Sequence, residues 1–288
     1  MIEHPHGRID YDERGAGPTV VLVPGSCSTG AAWRPVMAAW DNRFRCVTTS
    51  LLGYGGTAER RTAHDPSIWH GAEMLEEVIR TAGEPVHLVG HSAGGLVGLA
   101  VALRQRVALK SLVVIEAPAV ELLRLNGDHD HYRAVRRMTD SYFAAHAMGD
   151  AQAIAAMIDF YGGAGTFASW PPRVRDYAVA TTAVNILDWA GAFRFAPSAA
   201  ELAAIEIPVL VLHGEKSHPA IRQANGVLAA QIRQAECISV EGAAHFMIST
   251  HPNRIARLVG EHVLEAKAES RARSLTMREN LLDVGLFH

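Results

Sequence analysis

From Arg8 onward the chain alternates short, β-branched apolar runs with longer stretches in which apolar positions recur every three or four residues. A buried parallel strand reads as a nearly continuous apolar run, whereas an amphipathic helix repeats at 3.6 residues. Strands are therefore expected at Ile9–Glu13, Thr19–Val23, Arg45–Thr49, Val86–Val89, Ser111–Ile115, Val209–His213 and Cys237–Val240. Helices are expected at Ile68–Thr81, Ala93–Arg104, Pro219–Gln231 and Pro252–Ala266, with Ser67 capping the first and Pro252 opening the last. The turn chemistry of Gly15-Ala16-Gly17-Pro18 predicts that the first two strands form an antiparallel hairpin at one sheet edge. The alternation as a whole predicts an α/β fold, a mostly parallel sheet with helices on both faces.

That alternation stops after Pro118 and resumes near Ile207. The intervening stretch is rich in Ala and aromatics, with helical periodicity at Tyr132–Ala147, Ala151–Tyr161 and Val174–Asp188. Connections inside a compact unit are usually far shorter, so this segment reads as a helical cap. The expected organisation is a first core part over 1–117, the cap over 118–204, a second core part over 205–266 and a C-terminal tail over 267–288. No internal repeat is present.

Composition removes several classes of function. With 49% hydrophobic and 20% charged residues the chain can bury a large core, which excludes disorder and coiled coil. A net charge of -3 gives no electrostatic reason to bind nucleic acid or an anionic membrane. Cys27, Cys46 and Cys237 are an odd set without C-x-x-C spacing, so a disulfide framework is not expected and a reducing, cytoplasmic setting is. The first fourteen residues carry six charges and leave no apolar run of signal-peptide length. A homodimer is left open.

The sharpest chemical signal is Val86-His87-Leu88-Val89-Gly90-His91-Ser92-Ala93-Gly94-Gly95, where an apolar strand passes through G-x-S-x-G directly into a helix. A serine on such a tight turn has a strained backbone, and flanking glycines let neighbouring main chain pass closely. Ser92 is the candidate nucleophile, at the start of a helix whose N–H groups face a developing oxyanion. An oxyanion site needs two backbone donors: Ala93 supplies the first, and Ser26, in Val23-Pro24-Gly25-Ser26 after the second strand, the other. A serine hydroxyl is a weak nucleophile until a neutral imidazole takes its proton. His245, in Gly242-Ala243-Ala244-His245-Phe246 after the last strand, is the candidate base. His91 reads as a neighbour of the turn that points elsewhere, and Asp128-His129-Asp130-His131 as a solvated helix start and not a metal site.

Taken jointly, these elements resemble the α/β-hydrolase superfamily over about residues 8–266: the hairpin, Leu52-Gly53-Tyr54-Gly55-Gly56-Thr57, the serine turn, the helical insertion, Ile207-Pro208-Val209-Leu210-Val211-Leu212-His213-Gly214 and Gly242-Ala243-Ala244-His245. The resemblance implies an eight-stranded, mostly parallel sheet with a cap inserted after the sixth strand. It also implies a nucleophile, an acid and a histidine in that chain order. The acid is where this chain departs. The family usually places an aspartate three residues after the glycine of the His-Gly turn, and Ser217 stands there. A hydroxyl cannot stabilise an imidazolium as a carboxylate does. The leading substitute is Glu116, at the end of Ser111-Leu112-Val113-Val114-Ile115, where some haloalkane dehalogenases that resemble Lys110–Pro118 take their acid. A carboxylate ending an apolar strand is costly unless partnered. Glu215 and the loss of any acid are the alternatives.

Haloalkane dehalogenases and the epoxide hydrolases of this fold attack with aspartate, which Ser92 does not replace in that chemistry, so acyl transfer remains. Trp33, Phe143, Phe160, Trp170, Trp189 and Phe246 are the candidate pocket residues, suited to an apolar acyl or alcohol group. No phosphate loop, zinc spacing or flavin or nicotinamide fingerprint occurs, so no cofactor or metal is expected. The expectation is an esterase-type serine hydrolase (carboxylic ester hydrolase) that cleaves a small, largely apolar carboxylic ester or lactone through an acyl-enzyme. A carbon–carbon bond hydrolase or perhydrolase built on the same Ser-His pair is one alternative, and a hydrolase-fold ligand receptor the other.

Overall fold

Alternate residues of the central strands point to opposite faces, and this chain fills both. The structure, a computed structural model, describes residues 1–266. The expected tail, with Leu281, Leu282, Leu286 and Phe287, lies outside the described residues. One seven-stranded sheet is formed from β1 (Asp12–Arg14), β2 (Thr19–Val23), β3 (Arg45–Thr48), β4 (Val86–His91), β5 (Leu109–Ile115), β6 (Val209–Gly214) and β7 (Ala235–Val240), in the spatial order β1-β3-β2-β4-β5-β6-β7. All neighbours are parallel except β1, which pairs antiparallel with β3.

Two expectations are corrected here. The expected hairpin does not form: Asp12, Glu13 and Arg14 pair with Thr48, Val47 and Cys46 of β3, because β3 takes the position beside β2 and leaves β1 the outer edge. The sheet has seven strands among the described residues and the helical insertion follows the fifth. Upstream of β1 the chain makes only the isolated bridge Ile2↔Ile9. Pro5 there has no donor to give, and Gly7 has φ +107°, which turns the chain out of strand geometry.

Helices follow the strand order. A 3-10 turn (Gly30–Trp33) and α1 (Arg34–Ala39) link β2 to β3, α2 (Ile68–Ala82) links β3 to β4, and α3 (Ala93–Arg104) links β4 to β5. Between β5 and β6 lie α4 (Glu121–Leu125), α5 (His129–Ala147), α6 (Ile154–Gly162), α7 (Thr166–Ser169), α8 (Pro172–Ala180), α9 (Thr182–Ala192) and α10 (Ala199–Ala203). After β6 come α11 (Pro219–Gln231), then β7, α12 (Met247–Thr250) and α13 (252–266). The expected helix Val174–Asp188 is broken at Thr181. Its Oγ1 back-bonds to the Tyr177 and Ala178 carbonyls at 2.8 and 3.3 Å, which diverts the ladder there.

Val21, Val23, Leu88, Leu112, Val114, Val209 and Val211 pack on one face against α2, α3 and α11. Val20, Leu22, Val89, Val113, Ile115, Leu210 and Leu212 pack on the other against Trp33, Trp40, Phe44 and the Ile255, Val259 and Val263 ridge of α13. The order also fixes where chemistry can sit. From β2 the chain steps to one side to form β3 and returns across β2 to form β4, so the connections diverge at the carboxyl ends of β2 and β4. That divergence leaves a crevice, the general place for a ligand in an open α/β sheet.

Candidate active site

Three strand ends converge on the crevice. β4 runs apolar to Gly90 and His91 and then turns at Ser92, whose φ of +53° and ψ of -125° lie outside ordinary L-residue conformations. The turn is possible because a Cβ on Gly90 would stand 2.3 Å from the Gly94 carbonyl oxygen and one on Gly94 2.4 Å from that of Pro24. The Ser92 N–H donates to the Ile115 carbonyl at 2.8 Å, which ties the turn to β5.

Ser92 Oγ lies 3.0 Å from His245 Nε2, and His245 Nδ1 lies 3.1 Å from Glu116 Oε2. Glu116 is fully buried, Ser92 and His245 nearly so. The second carboxylate oxygen of Glu116 accepts from the Gly214 N–H at 2.7 Å. A carboxylate on Nδ1 selects the tautomer that donates there and leaves Nε2 to accept the serine proton. Glu116 itself has φ +54°, a costly conformation for a side chain of its size. The surrounding structure holds it there: its N–H donates to the Leu212 carbonyl at 2.9 Å, and the buried Asn225 clasps both the N–H (3.1 Å) and the carbonyl (3.0 Å) of Ala117.

The alternative acids lie elsewhere. Glu215 accepts from the Gly242 N–H at 2.8 Å, and Ser217 is buried with a hydroxyl that has no hydrogen-bond partner among the described residues. His91 does not point away from the chemistry. Its Nε2 donates to the His245 carbonyl at 2.8 Å with the two rings 4.9 Å apart, so it braces the loop that carries His245. Burial, and then the neighbouring His245, push the His91 imidazole down to about 3, so it stays neutral in that contact.

Beside Ser92, the N–H groups of Ser26 and Ala93 make no hydrogen bond within the described chain, and both residues line the cavity above the serine. The cavity has a volume of about 60 Å³ and is walled by Leu51, Leu52, Leu96, Met157, Ile158 and Tyr161 among others. The Tyr161 ring lies 4.0 Å from the His245 ring, and burial together with the Glu116 charge raises its hydroxyl well above the ordinary value, keeping it protonated. Of the six candidate pocket residues, Trp189 and Phe246 line this cavity. The other four do not. Trp33 is buried on the opposite sheet face with Val36 and Trp40, and Phe143 packs on Tyr142. Phe160 stacks on His218 at 4.0 Å, and Trp170 meets Phe246 edge-on at 5.0 Å from outside the cavity. Rings that satisfy one another pack as core, and the cavity wall is left to aliphatic side chains with Tyr161, Trp189 and Phe246.

A wider groove of about 630 Å³ lies at the β1–β3 edge, lined by Asp10, Tyr11, Arg34 and Cys46, but it brings no base to a nucleophile, and burial raises the Cys46 thiol to about 11. Asp128 caps α5 by accepting from the His131 N–H, as expected for a helix start. Among the described residues no group of three or more His, Cys, Asp and Glu side chains is arranged to hold a metal ion, and no helix is long and apolar enough to cross a membrane.

Compared with known proteins, residues 18–252 match the model of the alpha/beta hydrolase fold family. The chain belongs to that family. Relatives of this hydrolase-fold chain include the protein named as carbamate hydrolase RutD in Agrobacterium fabrum, 35% identical over 39% of this chain and 41% of its own length. Haloalkane dehalogenase 2 of Mycobacterium tuberculosis is 30% identical over 39% of this chain and 40% of its own. The chain thus spans about two-fifths of the length of the curated relatives it matches. In three dimensions it is similar to an alpha/beta hydrolase from Sphaerobacter thermophilus (TM-score 0.65, 23% identity, 88% of this chain and 95% of the other). It is likewise similar to an esterase from Thermogutta terrifontis (TM-score 0.69, 20% identity, 90% and 93%). At these identities the likeness is one of fold.

Proposed function

We propose that this chain is a serine hydrolase that cleaves small, largely apolar carboxylic esters or lactones through an acyl-enzyme on Ser92. The observation that carries the reading is the continuous buried row Ser92–His245–Glu116, with two unpaired N–H groups beside its serine end. Ser92 Oγ attacks the substrate carbonyl carbon while His245 Nε2 takes its proton, and Glu116 stabilises the imidazolium that results. The carbonyl oxygen, now negative, accepts from Ser26 and Ala93 N–H. Collapse expels the alcohol, which takes the proton back from Nε2. Water then repeats the sequence on the acyl-enzyme and releases the carboxylic acid.

The cavity is small beside the roughly 300–1,000 Å³ of most ligand sites. That size and its aliphatic wall favour a short acyl chain, with Trp189 and Phe246 against it. The relatives named as a carbamate hydrolase and as a pimeloyl-[acyl-carrier protein] methyl ester esterase both have names that imply cleavage at an acyl carbon, the same reaction type. A carboxylate nucleophile, which displacement of halide from an alkyl carbon would use, is absent at position 92. The test is turnover of p-nitrophenyl esters from acetate to octanoate and of γ-lactones, with intact-mass detection of the acylated protein. Turnover falling with chain length, and a mass adduct present in wild type and missing from Ser92→Ala, are expected. Equal turnover in Ser92→Ala would remove the reading.

A further inference from the structure

Lining the same cavity as Ser92 is a polar cluster whose side chains the reaction above does not use. Its centre is Asp188 on α9, whose carboxylate accepts from Ser26 Oγ at 2.5 Å, Tyr54 hydroxyl at 2.6 Å and Arg61 Nη1 at 2.6 Å. Arg61 is shared with Glu59 through Nε (2.9 Å) and Nη2 (2.8 Å), and its Nη2 also reaches the Leu52 carbonyl. Asp188 and Arg61 side chains are each only 8% exposed. Asp188 and the partly exposed Glu59 both pair with the one guanidinium of Arg61, an arrangement that hydrophobic packing of the same volume often matches for stability alone.

The connection to Ser26 gives the cluster a further role. Ser26 is one of the two residues proposed to donate an N–H to the oxyanion, it lines the cavity with Ser92, and Asp188 is the acceptor of its hydroxyl. The next residue, Cys27, is held at φ +56°, so this turn keeps its shape only while something holds it. The neighbouring Gly25 is pressed against the nucleophile: a Cβ on it would lie 2.9 Å from that of Ser92. Direction matters for an oxyanion donor, because its contribution depends on pointing at the oxygen before charge develops there.

We infer that Asp188 is a positioning residue for the oxyanion site: the α9 carboxylate grips the Ser26 hydroxyl and so aims the Ser26 N–H at the substrate oxygen, completing the site only while α9 is seated. This rests on the proposed roles of Ser92 and Ser26. The reaction is then coupled to the position of the helical layer through one hydrogen bond, with Arg61 orienting the carboxylate.

The experiment compares Ser26→Ala, Ser26→Thr, Asp188→Asn, the double variant Ser26→Ala/Asp188→Asn and Tyr54→Phe on p-nitrophenyl butyrate, with Tm measured for each. Ser26→Ala keeps the backbone N–H and loses only its anchor. Expected for Ser26→Ala is a fall in kcat of about 10- to 100-fold with KM within threefold, since losing one oxyanion donor outright removes about 10²–10³. Ser26→Thr should restore kcat to within about threefold, and the double variant should be no slower than Asp188→Asn alone, as two groups acting through one bond require. Tyr54→Phe should lower Tm comparably to Ser26→Ala while reducing kcat less than threefold. If kcat instead follows Tm across all five variants, or if the Ser26 and Asp188 effects multiply, the cluster is a structural latch and the inference falls. Should Asp188→Asn fail to fold, the Ser26→Ala, Ser26→Thr and Tyr54→Phe set still decides. Wild-type turnover that depends on Ser92 keeps the proposed function standing in either case, so the two failures are distinct.

Discussion

The ends of β5 and β6 lie side by side and carry opposite solutions to one problem. β5 is followed directly by Glu116, buried, strained and bonded both to His245 and to the Gly214 N–H. β6 ends in Gly214, and three residues on comes Ser217, buried with an unpartnered hydroxyl. Adjacent parallel strands run about 4.8 Å apart and finish at the same sheet edge, so a carboxylate on either end can reach one imidazole. On the proposed mechanism the acid therefore stands one strand across from the position that the family resemblance implies. What it needs is a local device to hold the carboxylate, here the positive φ of Glu116 and the Asn225 clasp on Ala117.

The largest expected effect breaks the β5 side. Glu116→Gln keeps the shape but removes the charge and allows the wrong imidazole tautomer, so kcat on a reactive ester should fall by about 10³–10⁴ with KM little changed. A smaller effect sharpens the comparison: adding Ser217→Asp to Glu116→Gln should recover about 10-fold or more of that loss, measured as kcat on the same ester. No recovery would mean that the β6 end no longer reaches His245.

The brace from β4 has a signature in pH. The His91 imidazole titrates near 6.5 when unfolded and about 3 in the fold, so below pH 6.5 the unfolded chain binds the extra proton and stability falls. Between pH 6.5 and 5 this contributes a loss of about 2 kcal/mol, growing until about pH 3. Urea midpoints at pH 7 and pH 5 should differ by less in His91→Gln than in wild type. The smallest effect belongs to Ser217→Ala. An unpaired buried hydroxyl contributes nothing that alanine lacks, so stability should be unchanged or up to about 1 kcal/mol higher and kcat within twofold.

The same contrast explains what could be read from the sequence. Helices α3 and α11 occur at Ala93–Arg104 and Pro219–Gln231, the expected bounds, because each has a local signal: the Gly-Ser turn before one and Pro219 at the first turn of the other. Ser92, His245 and Glu116 follow apolar strands, and strand ends of a parallel sheet meet at one edge, so their convergence was legible in outline. The partner of β1 was not. Whether a short edge strand pairs with β2 or β3 depends on which crossover fills the neighbouring position, and Gly15-Ala16-Gly17-Pro18 carries no trace of that. The helical layer was least legible. An aromatic ring at helical spacing looks the same whether it stacks on His218, as Phe160 does, or faces the cavity, as Trp189 does. Asp188 carried no motif at all. Its importance comes from 162 residues of separation closed by one hydrogen bond to Ser26.

The most direct test of the central claim is the rate at which a fluorophosphonate labels Ser92, followed by intact mass, in wild type, Glu116→Gln and Ser217→Ala. The probe reports an activated serine without needing the right substrate. An acid on β5 predicts wild-type labelling in Ser217→Ala and labelling slowed by about 100-fold or more in Glu116→Gln. Labelling of Glu116→Gln at the wild-type rate, or a matching loss in Ser217→Ala, would contradict it.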